Sequence, residues 1–378
     1  MKTREFLYIT GLLLLSVLNS CKHSQNEAAP SKSNGIKYAS HLKLDKAGDY
    51  TIIEVREPWA KAGNYKYVAG KNKKNLPDSL KKYPFIQTPA KKIVVTSTTH
   101  LPHISLLGKE DNLAGFPNTR YISSEKFRKR VEEGKIKEIG NGAGLNTEET
   151  LILNPGLIIA FSSGNDQKQY EIFEKKGIPV IYNADWMEND PLGRAEWLKL
   201  FGVIFNEEEK AGKIFDTIAR NYNRIKEKIG NKTRKPLVFQ GGFFGDKWYV
   251  PGGKSYAAKL IEDAGGKYVW EKDHHSGSNA YSFENVLLKL PQADIWLNPG
   301  SIVSKSALGN QIPQAKKFKS YKNDRIYTYV LAKGKNGGLI YFEESPAHPD
   351  RVLEDLYHIF YPDESPQHKF HYYSILLP

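Results

Sequence analysis

The sequence predicts an α/β protein of two lobes, each built on a mainly parallel sheet flanked by helices and joined by one long rigid connector helix. Three observations predict it. From Lys91 onward, short apolar runs alternate with helical stretches, a rhythm that calls for βα units and parallel strands. One long amphipathic pattern divides that rhythm in two, with Ala211, Ile214, Phe215, Ile218, Tyr222, Ile225 and Ile229 recurring at intervals of three or four. Finally, one short pattern occurs on each side of the divide, as Thr147-Glu148-Glu149-Thr150-Leu151-Ile152-Leu153-Asn154-Pro155 and as Ser282-Phe283-Glu284-Asn285-Val286-Leu287-Leu288-Lys289-Leu290-Pro291.

Both copies place a small hydroxyl residue before a Glu and then a Leu, a Pro and an Ile at matching distances (Leu151, Pro155 and Ile159; Leu287, Pro291 and Ile295). Each reads as a short helix with a carboxylate in its first turn, a Pro-punctuated turn and a buried strand, Leu157 to Phe161 or Ala293 to Leu297. Acidic residues favour any helix N-terminus through capping and the macrodipole, so the pattern alone assigns Glu148 and Glu284 a structural role.

Taken in order, the chain opens on Lys2 and Arg4 before an apolar run, Phe6 to Leu18, that is shorter than the ~20 residues of a membrane span and ends in Leu18-Asn19-Ser20-Cys21. This is a bacterial lipoprotein signal over residues 1–20. Cys21 is the only cysteine and can form no internal disulfide; at a small-residue cleavage site it is the expected lipid acceptor. Residues 21–35 are small and polar and fit a lipidated flexible tether. The protein is therefore expected in the cell envelope, lipid-anchored, on the periplasmic face and otherwise soluble.

Residues 36–90 hold short β-rich runs, Tyr50 to Val55 and Lys66 to Ala69, which read as a strand pair leading into the first lobe. Residues 91–205 form the N-terminal lobe, with strands at Ile93–Thr96, Leu113–Phe116, Leu157–Phe161 and Pro179–Tyr182. Residues 206–234 carry the connector: Asn206 with Glu209 resembles a capping box and Gly230 stands at the stop. Residues 235–362 form the C-terminal lobe, with strands at Leu237–Phe239, Trp248–Val250, Ile295–Leu297 and Ile326–Tyr329, a helix from Ser255 to Ala264, the helix bearing Glu284 and a last helix from Pro349. The tail, 363–378, is expected to be loosely ordered.

Lys and Arg outnumber Asp and Glu by 55 to 42, a net charge of +13 spread in patches such as Lys71-Asn72-Lys73-Lys74. An exported lipoprotein meets no genome, so this surplus favours an anionic ligand or an acidic membrane surface over nucleic acid. No nucleophile elbow, His-Glu-x-x-His or Gly-x-x-x-x-Gly-Lys-Ser/Thr is present, so no enzyme activity and no cofactor are expected. His100 and His103 flank Pro102, and His274-His275 sit in a Gly/Ser-rich loop; without a carboxylate partner they read as helix-start and loop residues. Aromatics are more telling. Tyr121, Trp186, Phe243, Phe244, Trp248, Tyr249, Trp270, Tyr281, Tyr329 and Tyr341 fall at strand ends or in Gly-rich turns, where open α/β sheets bind ligands, although about half are expected to pack in the core.

With these residues in view, the chain resembles the substrate-binding lipoproteins of ATP-binding-cassette importers for ferric siderophores, haem and cobalamin, whose lobes are joined by one rigid helix. The resemblance covers residues 91 to 362 and rests on Lys92-Ile93-Val94-Val95, Leu145-Asn146-Thr147-Glu148, Asn154-Pro155-Gly156-Leu157-Ile158-Ile159-Ala160, Gly177-Ile178-Pro179-Val180, the Asn206 to Ile229 helix and Ser282-Phe283-Glu284. Gly193-Arg194-Ala195-Glu196-Trp197 and Gly337-Gly338 before Tyr341-Phe342-Glu343 look like a Bacteroidetes-type branch, except that Leu339-Ile340 stand where that branch often has Asn-Asp. The resemblance implies that Glu148 and Glu284 dock on arginines of a dimeric permease working with its ATPase. It implies a monomeric carrier that holds a small metal chelate between its lobes, against Thr99, His100, Tyr121, Phe243, Trp248, Tyr249, Tyr281 and Tyr341, with little hinge closure. A zinc or manganese carrier is the alternative, and needs several His and carboxylate ligands converging in the cleft. An exported enzyme or adhesin would need chemistry or a repeated surface that the sequence does not present.

Overall fold

The computed structural model describes residues 35–378 apart from 141–143, 231 and 365. The signal segment, Cys21 and the tether as far as residue 34 lie outside the described residues. Among the described residues, no helix is long and apolar enough to cross a membrane.

The N-terminal region forms a sheet of four strands rather than a strand pair. Strands β1 (Leu42–Ala47), β2 (Tyr50–Val55) and β3 (Tyr65–Gly70) make an antiparallel meander, and β4 (Phe85–Gln87) lies parallel to β3. β1 reads Leu-Lys-Leu-Asp-Lys-Ala; its alternation buries Leu42 and Leu44 and turns Lys43 and Asp45 to the other face, a pattern that the Lys content obscures in sequence. The segment before β1 is held by two buried carboxylates. Glu196 accepts from the backbone N–H groups of Lys37, Tyr38 and Ala39 at 2.6–2.9 Å and from Lys199 Nζ at 2.7 Å. Glu188 accepts from Ser40 N, Ser40 Oγ and His41 N at 2.8–2.9 Å and from the Trp197 indole at 3.2 Å.

The N-terminal lobe is a five-stranded parallel sheet. Its strands β5 (Ile93–Val95), β6 (Leu113–Phe116), β7 (Lys137–Glu138), β8 (Leu157–Ala160) and β9 (Val180–Tyr182) lie in the order β7-β6-β5-β8-β9. Every residue of β5, β8 and β9 is buried, as expected of parallel strands covered on both faces.

The C-terminal lobe repeats the plan. β10 (Leu237–Gln240) pairs in parallel with its neighbours, but β11 (Gly242–Phe244) and β12 (Lys247–Pro251) form a hairpin outside the main sheet. After β13 (Lys267–Tyr268), β14 (Ser278–Tyr281) joins that hairpin, and β15 (Ile295–Leu297) and β16 (Ile326–Thr328) return to the main sheet. The expected strand Trp248–Val250 therefore belongs to an antiparallel three-stranded flap. The tail is ordered: β17 (Ser374–Ile375) adds an antiparallel edge strand to β16, and Tyr372, Tyr373 and Leu376 are buried. The main sheet runs β13-β10-β15-β16-β17.

The connector helix spans Glu208–Ile229, 22 residues or about 33 Å at 1.5 Å per residue. It buries Ala211, Phe215, Ile218, Ala219, Tyr222, Ile225 and Ile229 along one stripe. It packs against the helix Leu198–Phe205 of the first lobe and the helix Pro349–Phe360 of the second. Asn206 does not start it. Asn206 takes the left-handed conformation (φ 58°) and ends the preceding helix, its N–H reaching the Gly202 and Val203 carbonyls. Asparagine tolerates that conformation better than other non-glycine residues, which is why a stop can be read as a start.

Glu196→Ala would strand three backbone N–H groups in a buried site, at about 1–3 kcal/mol each. The expected loss in urea unfolding is roughly 3 kcal/mol or more; a loss below about 1 kcal/mol would show that the segment finds other acceptors or water.

Candidate ligand cleft and partner-docking face

The strands of both sheets end at one cleft. After β5 come Thr96, Ser97 and Thr98, after β6 Pro117 and Asn118, after β10 Gly241 and Gly242, after β15 Asn298, Gly300 and Ser301, and after β16 Tyr329 and Val330; all of these line it. Ligand sites in open α/β folds lie outside the carboxyl ends of strands for this reason. Two cavities, of about 760 and about 610 Å³, share Ser301, Val330 and Phe342 in their walls and form one continuous space between the lobes.

The first cavity is walled by Trp186, Phe243, Phe244, Tyr249, Tyr256, Tyr329 and Phe342 and by the guanidinium of Arg194. Arg194 is fixed: its Nε and Nη2 donate to the carbonyls of Glu188 and Trp186 at 3.1 and 2.8 Å, and its plane lies over the Tyr256 ring at 4.1 Å. The second cavity is walled by Phe116, Tyr121, Leu339, Phe342 and the ammonium of Lys333. Neither wall includes a carboxylate or an imidazole among the described residues.

Of the residues expected here, Tyr121, Phe243 and Tyr249 line the cleft, Tyr121 and Tyr249 about half exposed. Five others stand elsewhere. Trp248 is fully buried, in ring contact with Phe239 and Trp296, because β12 turns alternate side chains inward and outward and gives Tyr249 to the cleft. Tyr281 lies stacked on Trp270 at 5.3 Å outside the cavity wall. Tyr341 is buried and stacks on Tyr329 at 4.1 Å, backing a cleft residue. Thr99 bonds to Ser97 Oγ, while its neighbours Ser97 and Thr98 reach the cavity.

His100 is the fifth. It and His103 are fully buried against Phe201, with no hydrogen-bond partner on any of their four ring nitrogens, and neither lines the cleft. Burial lowers both to about 3 from the usual 6.5.

Arg194 and Phe342 were not singled out as ligand contacts by sequence, and Trp186 and Tyr329 were picked out only among the ten strand-end aromatics. The run Gly193-Arg194-Ala195-Glu196-Trp197 was a usable signal, since Arg194 lines the cleft while Glu196 and Trp197 build the support behind it.

The lobes also touch beside the cleft. Glu343 of the second lobe accepts from the backbone N–H groups of Ser123 and Ser124 of the first at 2.6 and 3.0 Å; burial pushes its carboxyl up to about 7 against the pull of those donors. Gly338 lies so close to Tyr121 that a Cβ there would overlap the Tyr121 carbonyl oxygen, so this contact requires glycine.

Glu148 and Glu284 occupy equivalent places. Asn146 caps the helix Thr147–Leu153 by accepting from Glu149 N, and Ser282 caps Phe283–Leu287 by accepting from Asn285 N. Each Glu is thus the second residue of its helix, two after the cap, and the matching cap is Asn146 rather than the hydroxyl of Thr147. A crossover helix runs antiparallel to its strands, so both first turns lie on the cleft side of their sheets. Both carboxylates are exposed, and neither pairs with a cation among the described residues. One helical turn on, each has an exposed aliphatic neighbour, Ile152 (71%) and Leu288 (80%).

Comparison with known proteins accords with this geometry. The profile of the periplasmic binding protein family matches residues 93–330. The chain belongs to the periplasmic binding protein family. An uncharacterised lipoprotein of Methanocaldococcus jannaschii is 25% identical over 370 residues, covering 94% of this binding protein and 83% of the relative. The vitamin B12-binding protein of Salmonella paratyphi A is 26% identical over 164 residues, 43% of this chain and 59% of that one. A possible iron-binding periplasmic protein from Staphylococcus epidermidis superposes with a TM-score of 0.57 at 20% identity, over 72% of this chain and 100% of its own. A periplasmic haem-binding protein of Vibrio cholerae gives 0.54 at 16%, over 70% and 99%.

Because His100 and His103 stay neutral when folded but protonate near pH 6.5 when unfolded, the unfolded chain binds more protons between about pH 6.5 and 3. Stability is then lost as pH falls through that window, by up to roughly 1.4 kcal/mol per pH unit for each ring. Glu343 works in the opposite sense between its ordinary value of 4.5 and about 7, so the difference between proteins is the readout. Replacing both histidines by Leu should flatten the fall in urea midpoint between pH 6.5 and 4.5; an unchanged slope would place the acid sensitivity elsewhere.

Proposed function

We propose that this binding protein captures an anionic metal chelate of the siderophore, haem or cobalamin class in its inter-lobe cleft and delivers it to the two-fold permease of an ATP-driven importer. The observation that carries this reading is the chemistry of the cleft wall. Aromatic rings with Arg194 and Lys333, and no carboxylate or imidazole among the described wall residues, suit a large, partly apolar anion and offer a bare cation no ligand set. The ligands of the vitamin B12-binding relative and of the iron-binding and haem-binding proteins of similar fold point to the same class. A zinc or manganese cargo finds no support in the cleft, since His100 and His103 lie under Phe201. The binding role involves no catalytic step, and the carrier acts as a monomer.

Glu148 and Glu284 sit on separate lobes at the cleft side, where two carboxylates meet the two halves of a symmetric partner. Ile152 and Leu288 give each charged contact an apolar anchor, the combination that carries affinity at the centre of small interfaces. Cys21 would hold the carrier at the envelope membrane, and the relation to a lipoprotein supports that placement.

Trp186 lies in the cleft wall and reports occupancy. Titration of residues 22–378 with ferric siderophores, haem, cobalamin and zinc should give tryptophan quenching that saturates at one equivalent with one chelate, and Phe244→Ala, at a side chain 79% exposed, should weaken it by roughly 5–20-fold. No response to any chelate would overturn the cargo class. Glu148→Ala with Glu284→Ala should abolish uptake into cells or proteoliposomes while the chelate Kd stays unchanged, and Ile152→Ser with Leu288→Ser should reduce it. A loss of chelate affinity in the Glu variants would move both residues to the cleft.

A further inference from the structure

The last helix and the tail bring together a second set of groups, away from the cleft. Glu354 and His358 stand one turn apart on the helix Pro349–Phe360, and His368 comes from the tail that follows it. One ligand atom from each lies within 4.8 Å of the others. The rings of His358 and His368 stack at 4.0 Å, and His358 Nδ1 is buried without a hydrogen-bond partner. We infer that Glu354, His358 and His368 form a binding site for a zinc-class divalent transition metal that fastens the C-terminal tail to this helix.

Two further contacts prepare the site. Asp355 is fully buried, and its Oδ1 lies 3.2 Å from His368 Nε2. A carboxylate can only accept here, so it holds Nε2–H as the donor and leaves the Nδ1 lone pair of His368 for an ion, the arrangement by which buried carboxylates orient zinc-binding histidines. His371 Nε2 lies 3.2 Å from Glu354 Oε2, which places a third imidazole beside the group.

The donor set decides the class of ion. Two imidazoles and one carboxylate suit zinc and its neighbours and do not suit calcium or magnesium, which take all-oxygen sites. Zinc bonds of about 2.0–2.1 Å put tetrahedral ligands roughly 3.3 Å apart, so the three side chains draw inward and the two stacked rings turn until their in-plane lone pairs converge. The fourth position falls to water or to His371.

This site is independent of the cleft and of its cargo. It also changes what zinc binding means, since one tight equivalent of zinc would report the tail rather than a transported ion. Metal-stripped residues 22–378 titrated with zinc should take up one equivalent by calorimetry, and the melting midpoint should rise by roughly 3–5 °C at a hundredfold excess over Kd. Magnesium should do neither. His358→Ala with His368→Ala should remove both effects, and Glu354→Gln, at a partly exposed side chain, should weaken binding by about tenfold or more without a risk to folding. Cobalt should give the visible absorption of a tetrahedral nitrogen–oxygen site. Absence of zinc binding in the intact protein, or binding undiminished in both variants, would overturn the inference; binding lost only when cleft residues such as Lys333 and Phe244 are replaced would overturn it as well.

Discussion

The connector helix fixes the relation between the lobes, and the cleft exists because of that constraint. One apolar stripe, from Ala211 to Ile229, is clamped on both sides, by the helix Leu198–Phe205 of one lobe and the helix Pro349–Phe360 of the other. Tyr222 reaches across to Asp263 of the second lobe at 2.8 Å, and Lys226 and Lys259 flank the same carboxylate at 3.0 and 2.7 Å. Bending the molecule at this helix would unpack the stripe and separate these groups, so the packing opposes hinge motion there. The Glu343 contact with Ser123 and Ser124 adds a second junction beside the cleft.

Buried carboxylates that accept from backbone N–H groups do much of the remaining assembly. Glu188 and Glu196 hold the segment before β1, Glu343 joins the lobes, and Asp355 accepts from His371, Tyr372 and Tyr373 to hold the tail. A buried charge is costly unless several donors surround it, and each of these has at least two. The same device that orders the tail also orients His368.

The two parallel sheets were legible in the sequence because their strands are continuous apolar runs bounded by turn residues; Ile93–Val95 and Leu157–Ala160 lie where the pattern puts them. β1 and β17 were not, since a short strand rich in Lys or at a chain end has too few apolar positions to register. The cleft was legible as a region and less so as residues. An aromatic at a strand end can face in or out, and one step of register separates buried Trp248 from exposed Tyr249, as it separates Thr99 from Thr98. Arg194 escaped because an arginine in a helix reads as a solvated surface until its neighbours are known. The two Glu segments were found by their repetition, and the structure refines the alignment to a shared cap position, Asn146 and Ser282.

The capture of residues 37–41 has a mechanical side. Glu196 and Glu188 take hold of five successive backbone amides, so a pull on the chain ahead of Lys37 loads those bonds together rather than peeling β1 from its neighbour strand by strand. The strain ends in the segment from Glu188 to Trp197, which includes the helix Pro191–Glu196, on the lobe opposite the antiparallel flap. Were the chain tethered through Cys21, as proposed, thermal motion of the membrane would pull on this capture point and leave the sheet registers, and the cleft they frame, unloaded.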